Sequence, residues 1–319
     1  MSDPKQRHIM HNESSEVYPV ADGEIDFGEL LGILWRGKWI ILSAGLVAGI
    51  IAIALTLMMP NIYRSETVLA PVDETGTGGL EALAGQLGGL ASLAGFRVGK
   101  GQASKITIAL EVLKSRLFIT DFIKRHNIMV PLMATKKWDP VNKRVIIDPD
   151  IYDVKAKRWM VHYKNSNKNG PSDWQAYKTF RKMMIINQDK ETGLITVSLD
   201  NKSPILARQW LDWLISDINS EIRKRDIDEA EKSIDYLNAQ REKTALAGMQ
   251  QIFYKLIEKQ TQTIMLANVR DQYVLRIIDP PEIPEVKHSP KRAIIVILTV
   301  AFVLMLVSFV LLVLRMSRR

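Results

Sequence analysis

SPILARQWLDWLISDINSEIRKRDIDEAEKSIDYLNAQREKTALA (203–247) contains no glycine and, after Pro204, no proline. Ser203 suits an N-cap, and Pro204 suits the first helical position, where a missing N–H costs nothing. The run predicts one helix, first broken at Gly248. Such a helix would be roughly 65 Å long at 1.5 Å per residue, far beyond the average of about 11–12 residues. Its first part is richly apolar, with Leu206, Trp210, Leu211, Trp213, Leu214 and Ile218; its later part keeps only Ile222, Ala230, Ile234 and Leu237. One domain cannot pack so long and polar a helix on all sides. The pattern predicts a helix rooted in a base, projecting from it and supported by neighbouring copies. A second helix, 250–268, returns after Gly248 to complete a hairpin.

Outward from the hairpin the periodicity changes. MIINQDKETGLITVSLDNK (184–202) alternates Ile195, Val197 and Leu199 with Thr196, Ser198 and Asp200, which predicts a β-hairpin turning at Asp189–Gly193. YVLRIID (273–279) predicts a closing strand. NIYRSETVLAP (61–71) predicts another, ended by Pro71. Over 104–126, Ile106, Leu110, Leu113 and Leu117 recur at helical spacing, followed by Phe118 and Phe122, so two helices with a break near Ser115 are expected. DWQAYKTFRKM (173–183) reads as helix. Residues 127–150, broken by Pro131, Pro140 and Pro149, offer only VIID (145–148) as a short strand.

Two uncharged runs enclose all of this: WIILSAGLVAGIIAIALTLMM (39–59) and AIIVILTVAFVLMLVSFVLLVL (293–314). Each is long enough to cross a bilayer core as a helix, and neither has a polar face. The first lies behind a mostly polar segment and lacks a small-x-small cleavage site, so it reads as a retained span. The expected organisation is a 1–38 terminal segment, a span at 39–59, a domain at 60–292, a span at 293–314 and a 315–319 tail. Two spans place both termini on one side. Arg36, Lys38, Arg315, Arg318 and Arg319 flank the spans at the terminal ends, and Arg64, Lys287, Lys291 and Arg292 at the loop ends. The balance favours termini inside and loop outside, although a loop this long translocates largely regardless of charge. The expected fold class is α+β: two transmembrane helices flanking a domain with an α/β base and a long projecting helical hairpin.

The chain carries a formal net charge of +8 and no cysteine. The excess lies in the loop, where it suits an acidic partner such as lipid head groups or an anionic polymer; an ordinary solvated surface accounts for it better. There is no arginine-rich tract or aromatic–basic interleaving, so nucleic acid is not expected as a partner.

DPPEIPEVKHSPKR (279–292) precedes the second span. Pro280, Pro281, Pro284 and Pro290 predict an extended, semi-rigid junction, with Lys291 and Arg292 as head-group anchors. In the first span Gly45 and Gly49 form GxxxG, with Ala52 on a neighbouring small-residue stripe suited to close helix packing or to contact with a membrane partner. Gly95–Lys100 fails as a phosphate loop, because three residues rather than four separate its glycines and Gly101 follows Lys100. GGLEALAGQLGGLASLAGF (78–96) repeats Leu80, Leu83, Leu87, Leu90 and Leu93 at three and four. It reads as a weakly amphipathic segment near the membrane or as a loop. His8, His11, His126, His162 and His288 lack metal-ligand spacing. Asp148 and Asp150 read as turn residues, and Asp226 with Glu229 as a solvated helix face. No catalytic, cofactor-binding or metal-ligating residue is expected.

IDFGELLGILWRGKWIIL (25–42), PNIYRSETVLAP (60–71) and the proline-rich PPEIPEVKHSPKR resemble the Wzz family of polysaccharide co-polymerases, the chain-length determinants. The resemblance implies a bacterial inner-membrane protein with both termini cytoplasmic and a large periplasmic domain. It implies a ring of copies, with an octamer favoured, and long helices rising from an α/β base. It also implies a non-enzymatic role without cofactors: setting the length of lipopolysaccharide O-antigen, or a related chain, made on a lipid carrier by a Wzy-type polymerase. Only RMSRR follows the second span, so any tyrosine kinase is expected to be a separate protein. Two other readings are a two-span periplasmic sensor or adaptor coupled to such a kinase, and a membrane-anchored hydrolase, which would need a carboxylate pair in a cleft.

Overall fold

The computed structural model describes residues 35, 37–72, 105–161, 170–243 and 247–316. The glycine-rich stretch 78–96 and Gly95–Lys100 lie outside them. Leu57–Arg292 form one unit, and the apolar helices on either side, up to Thr56 and from Ala293, form a second.

At the centre of the larger unit is a four-stranded antiparallel sheet of β1 (Tyr63–Pro71), β6 (Met184–Gln188), β7 (Ile195–Asn201) and β8 (Leu275–Asp279), in the order β6-β7-β1-β8. The register pairs Ser65 with Leu199, Thr67 with Val197 and Leu69 with Ile195, all six buried, so one face of the sheet meets the core. On the opposite face Arg64 and Asp200 sit directly opposite one another in a bidentate pair at 2.6 and 2.9 Å. The β6–β7 turn forms over the expected residues. Asp189 Oδ1 accepts from the N–H groups of Thr192 and Glu191, which lower the Asp189 pKa in that order, and Gly193 takes φ 72°. That left-handed backbone suits glycine.

α2 (Lys105–Lys114) and α3 (Arg116–Arg125) are separated at Ser115, whose hydroxyl accepts from the Phe118 N–H at 3.2 Å. Ala109, Leu110, Leu113, Phe118 and Phe122 are buried, but Leu117 is 74% exposed. The break rotates the second helix, so Leu117 leaves the stripe that a continuous helix would have given it. Pro131 does not interrupt structure as expected: it lies in the first turn of a short helix, α4 (Met129–Ala134), where proline is tolerated. A hairpin of β2 (Thr135–Asp139) and β3 (Arg144–Ile147) follows, then β4 (Tyr152–Asp153) paired with β5 (Arg158–Trp159). β2, β4 and β5 are too short and mixed to show a period. Asp148 works as a turn residue, accepting the N–H of Asp150 at 3.2 Å. α5 (Asp173–Met183) starts with a capping box of Ser172 and Gln175.

α6 (Pro204–Lys243) is the long helix, with the Leu206 N–H donating to Ser203 Oγ at 3.3 Å. Its 40 residues reach about 60 Å at 1.5 Å per residue. Trp210, Leu211, Leu214, Ile215, Ile218 and Ile222 bury its first half in the core; beyond Ala230 no described residue is buried. α7 (Ala247–Val269) returns alongside. Gly248 lies inside its first turn rather than marking the break. His126 ties α3 to α6: it stacks on Trp213 at 4.4 Å and bonds Asp217 at 2.9 Å.

In the second unit, α1 (Lys38–Met58) and α8 (Arg292–Met316) are the two described helices long and apolar enough to cross a membrane. They are not core helices. No residue of the span in α8 is buried, and α1 buries only Gly45, Ala52 and Thr56.

Candidate functional site

The proline-rich junction belongs to the larger unit and is fastened to β1 by an unusual set of bonds. Proline lacks an N–H, so a proline-rich strand cannot build a normal ladder. β1 side chains instead donate to the carbonyls of this segment. Thr67 Oγ1 donates to the Asp279 carbonyl at 2.7 Å, and Ser65 Oγ donates to the Glu282 carbonyl at 2.8 Å. From α6, Arg208 Nε donates to the Pro281 carbonyl at 3.3 Å. Pro281 is buried, Pro280 is exposed, and Pro284 and Pro290 are half-buried.

Nearer the apolar run the junction closes on the chain entering β1. The N–H groups of His288 and Ser289 both donate to the Ile62 carbonyl, at 2.8 and 3.2 Å, and the Ile62 N–H donates to the Ser289 carbonyl at 2.9 Å. Arg292 Nη2 donates to the Met59 carbonyl at 3.3 Å and to Asn61 Oδ1 at 3.0 Å. Lys291 is exposed. The segments entering and leaving this unit are therefore zipped together.

In the apolar helix pair, Gly45, Gly49, Ala52 and Thr56 follow at helical spacing along α1. A Cβ on Gly45 would lie 2.8 Å from Leu304 Cδ2, and one on Gly49 would lie 3.5 Å from Val300 Cγ2. The GxxxG face thus meets α8 of the same chain, and Ala52 and Thr56 are buried on α1. The outward faces remain apolar: Leu46, Phe302, Met305 and Phe309 are exposed.

Sequence reasoning missed several ties between the sheet and α6. Asn219 is 4% exposed and holds the edge strand β8. Its Oδ1 accepts from the N–H groups of Val274 and Leu275 at 2.8 and 3.0 Å, and its Nδ2 donates to the Leu275 carbonyl at 3.0 Å. The available signal was a lone amide within the apolar stripe between Ile215 and Ile222. Asp226 is not simply a solvated residue. Its Oδ2 lies 2.6 Å from both Lys105 Nζ and the Tyr273 hydroxyl, half-buried. Burial first, and then Asp226, push the Tyr273 pKa up to about 12. Among the described residues, no three His, Asp or Glu side chains gather as metal ligands.

Residues 23–126 match the family model described as "Wzz: Chain length determinant protein". Over these residues the chain is similar to the Wzz family. The Wzz match covers α1, β1, α2 and α3 and takes in the glycine-rich stretch; the hairpin, the junction and α8 lie beyond it. Two solved structures are similar at low identity. One, a "full-length bacterial polysaccharide co-polymerase", is 15% identical over 92% of this chain and 98% of its own, with a TM-score of 0.36. The other, a fragment of WzzB, polysaccharide co-polymerase from Salmonella Typhimurium, is 14% identical over 72% of this chain and 100% of its own, with a TM-score of 0.29. No curated protein matches the chain.

Proposed function

We propose that this chain is a non-enzymatic, two-span scaffold of the bacterial inner membrane that regulates the length distribution of lipopolysaccharide O-antigen or a related polysaccharide. The observation that carries the reading is the Wzz match across the first apolar helix and the strand after it. In this reading both termini are cytoplasmic and the Leu57–Arg292 unit is periplasmic. The partners are a Wzy-type polymerase, its lipid-linked product and further copies of the chain in a ring, with an octamer favoured.

The hairpin supports assembly. α7 leaves Ile252, Tyr254, Leu256, Met265, Leu266 and Val269 exposed, more apolar surface than a solitary solvated helix needs. The GxxxG face is occupied within the chain, so polymerase contact through Gly45, Gly49 or Ala52 would be indirect, by way of the helix pair's shape. The outward faces of α1 and α8 are the surfaces open to a membrane partner. Regulation would work through ring geometry biasing extension against termination, and no residue need make or break a bond.

The test is a deletion strain complemented with the wild-type gene and examined for surface polysaccharide banding. Loss of the modal band on deletion, with its return on complementation, is the expected result. An unchanged length distribution would refute the proposal.

A further inference from the structure

Among the described residues, the partners of the Arg292 cation are all neutral. Nη2 is bound to a carbonyl and to the Asn61 side-chain oxygen, and Nε is buried with no partner. Nη1 has no acceptor among the described residues. No ion pair joins Lys287, Lys291 or Arg292 to a carboxylate among the described residues, and Glu282 and Glu285 of the same segment make none either. A partly buried guanidinium without a counter-anion is costly, which makes the place receptive to an anion.

The place is also rigid and of defined chemistry. The Ile62–Ser289 zipper fixes the backbone, and the Met59 and Asn61 contacts fix one edge of the guanidinium. Arg292 opens α8, so the uncharged run starts at the next residue. With Nη2 engaged and Nε buried, Nη1 remains to give a charge-assisted bond to a phosphate oxygen, and the exposed lysine next to it adds a mobile point charge. Basic groups beside membrane helices recognise phosphorylated head groups in this way.

We propose that Arg292 and Lys291, with Lys287 upstream, form a binding site for a phosphate ester carried on a lipid. The shared chemistry admits two sources: the head group of a bulk phospholipid, or the diphosphate that links a growing glycan to its polyprenyl carrier. The second source rests on the chain-length reading above; the site itself does not.

The test uses the full-length protein in nanodiscs of phosphatidylcholine alone, or doped with phosphatidylglycerol or with polyprenyl diphosphate. Lipid retained per protomer is read by native mass spectrometry. Wild type should retain the anionic lipids over phosphatidylcholine, and Arg292→Gln and Lys291→Gln should each lower that retention about tenfold, as loss of one charge-assisted bond predicts. Lys291→Gln leaves the Arg292 contacts in place, so it remains informative if Arg292→Gln folds poorly. Lys190→Gln, on the exposed β6–β7 turn, should change nothing. Preference for polyprenyl diphosphate would assign the site to the glycan carrier, and equal retention of both anions would assign it to bulk phospholipid. Retention insensitive to both variants, or equal for phosphatidylcholine, would overturn the site. Banding in the deletion strain tests the chain-length reading separately, so loss of one does not entail loss of the other.

Discussion

Replacing Asn219 with leucine should destabilise the larger unit more than any comparable change elsewhere on α6. β8 is an edge strand of the sheet, and edge strands present unpaired N–H and C=O groups. The Asn219 amide satisfies those of Leu275 from the side, as a further strand would, and takes the Val274 N–H as well. Leucine has a similar volume, so the cavity term is small and the lost hydrogen bonds dominate. Two donors and one acceptor would be left in a buried place, each costing about 1–3 kcal/mol. Partial relaxation and water entry lower the sum, and we expect a loss of about 3–5 kcal/mol, a large share of a typical domain stability of about 5–15 kcal/mol. Urea unfolding of the full-length protein in detergent, followed by tryptophan fluorescence, would report it, since Trp210 and Trp213 lie on the same helix. Amide exchange at Val274 and Leu275 should accelerate in parallel. A loss below about 1 kcal/mol, or unchanged protection at those two amides, would refute the reasoning.

Gly45→Ile should overpack the apolar helix pair against Leu304, at a cost of about 1–3 kcal/mol, whereas Gly49→Ala should be tolerated. SDS-driven unfolding in bicelles measures both, and failure of Leu304→Ala to rescue Gly45→Ile would count against the contact. Tyr273 has a folded pKa of about 12, above its ordinary value of 10.0, so its contribution is complete below pH 10 and is lost as pH rises through 12. Thermal melts should show a steeper alkaline decline for wild type than for Tyr273→Phe; equal declines would exclude ionisation of the buried Tyr273 as the cause. Gly193→Ala should cost about 1 kcal/mol, because φ 72° is strained for alanine even though no atom crowds the site. Chemical denaturation would show it, and a neutral result would mean that the turn adjusts.

Elements with a strong local period were legible in the sequence. The long helix announced itself through Ser203, Pro204 and the glycine-free run after them; the β6–β7 hairpin did so through strict alternation, and the α2–α3 break through Ser115. What stayed hidden depends on partners distant in sequence. Asn219 and Asp226 look like ordinary helix polar residues until β8 and Lys105 are brought to them. Pro131 looked like a breaker because a first-turn position cannot be told from an interior one without knowing where the helix starts. At the junction, the prolines and the two terminal cations were visible as a group. Their fastening was not, since Ser65, Thr67, Arg208 and Asn61 carry no mark of it in the sequence.

The uneven burial of α6 bears on how such a protein can diversify. Residues up to Ile222 are committed to the sheet, and substitutions there are paid for in folding stability. Past Ala230 the helix answers to little except α7 and whatever lies outside the protomer, and exposed positions of this kind tolerate most changes at small cost. Selection can therefore rewrite the outer hairpin while the base is inherited unchanged, separating the part of the sequence that keeps the fold from the part free to acquire a different specificity.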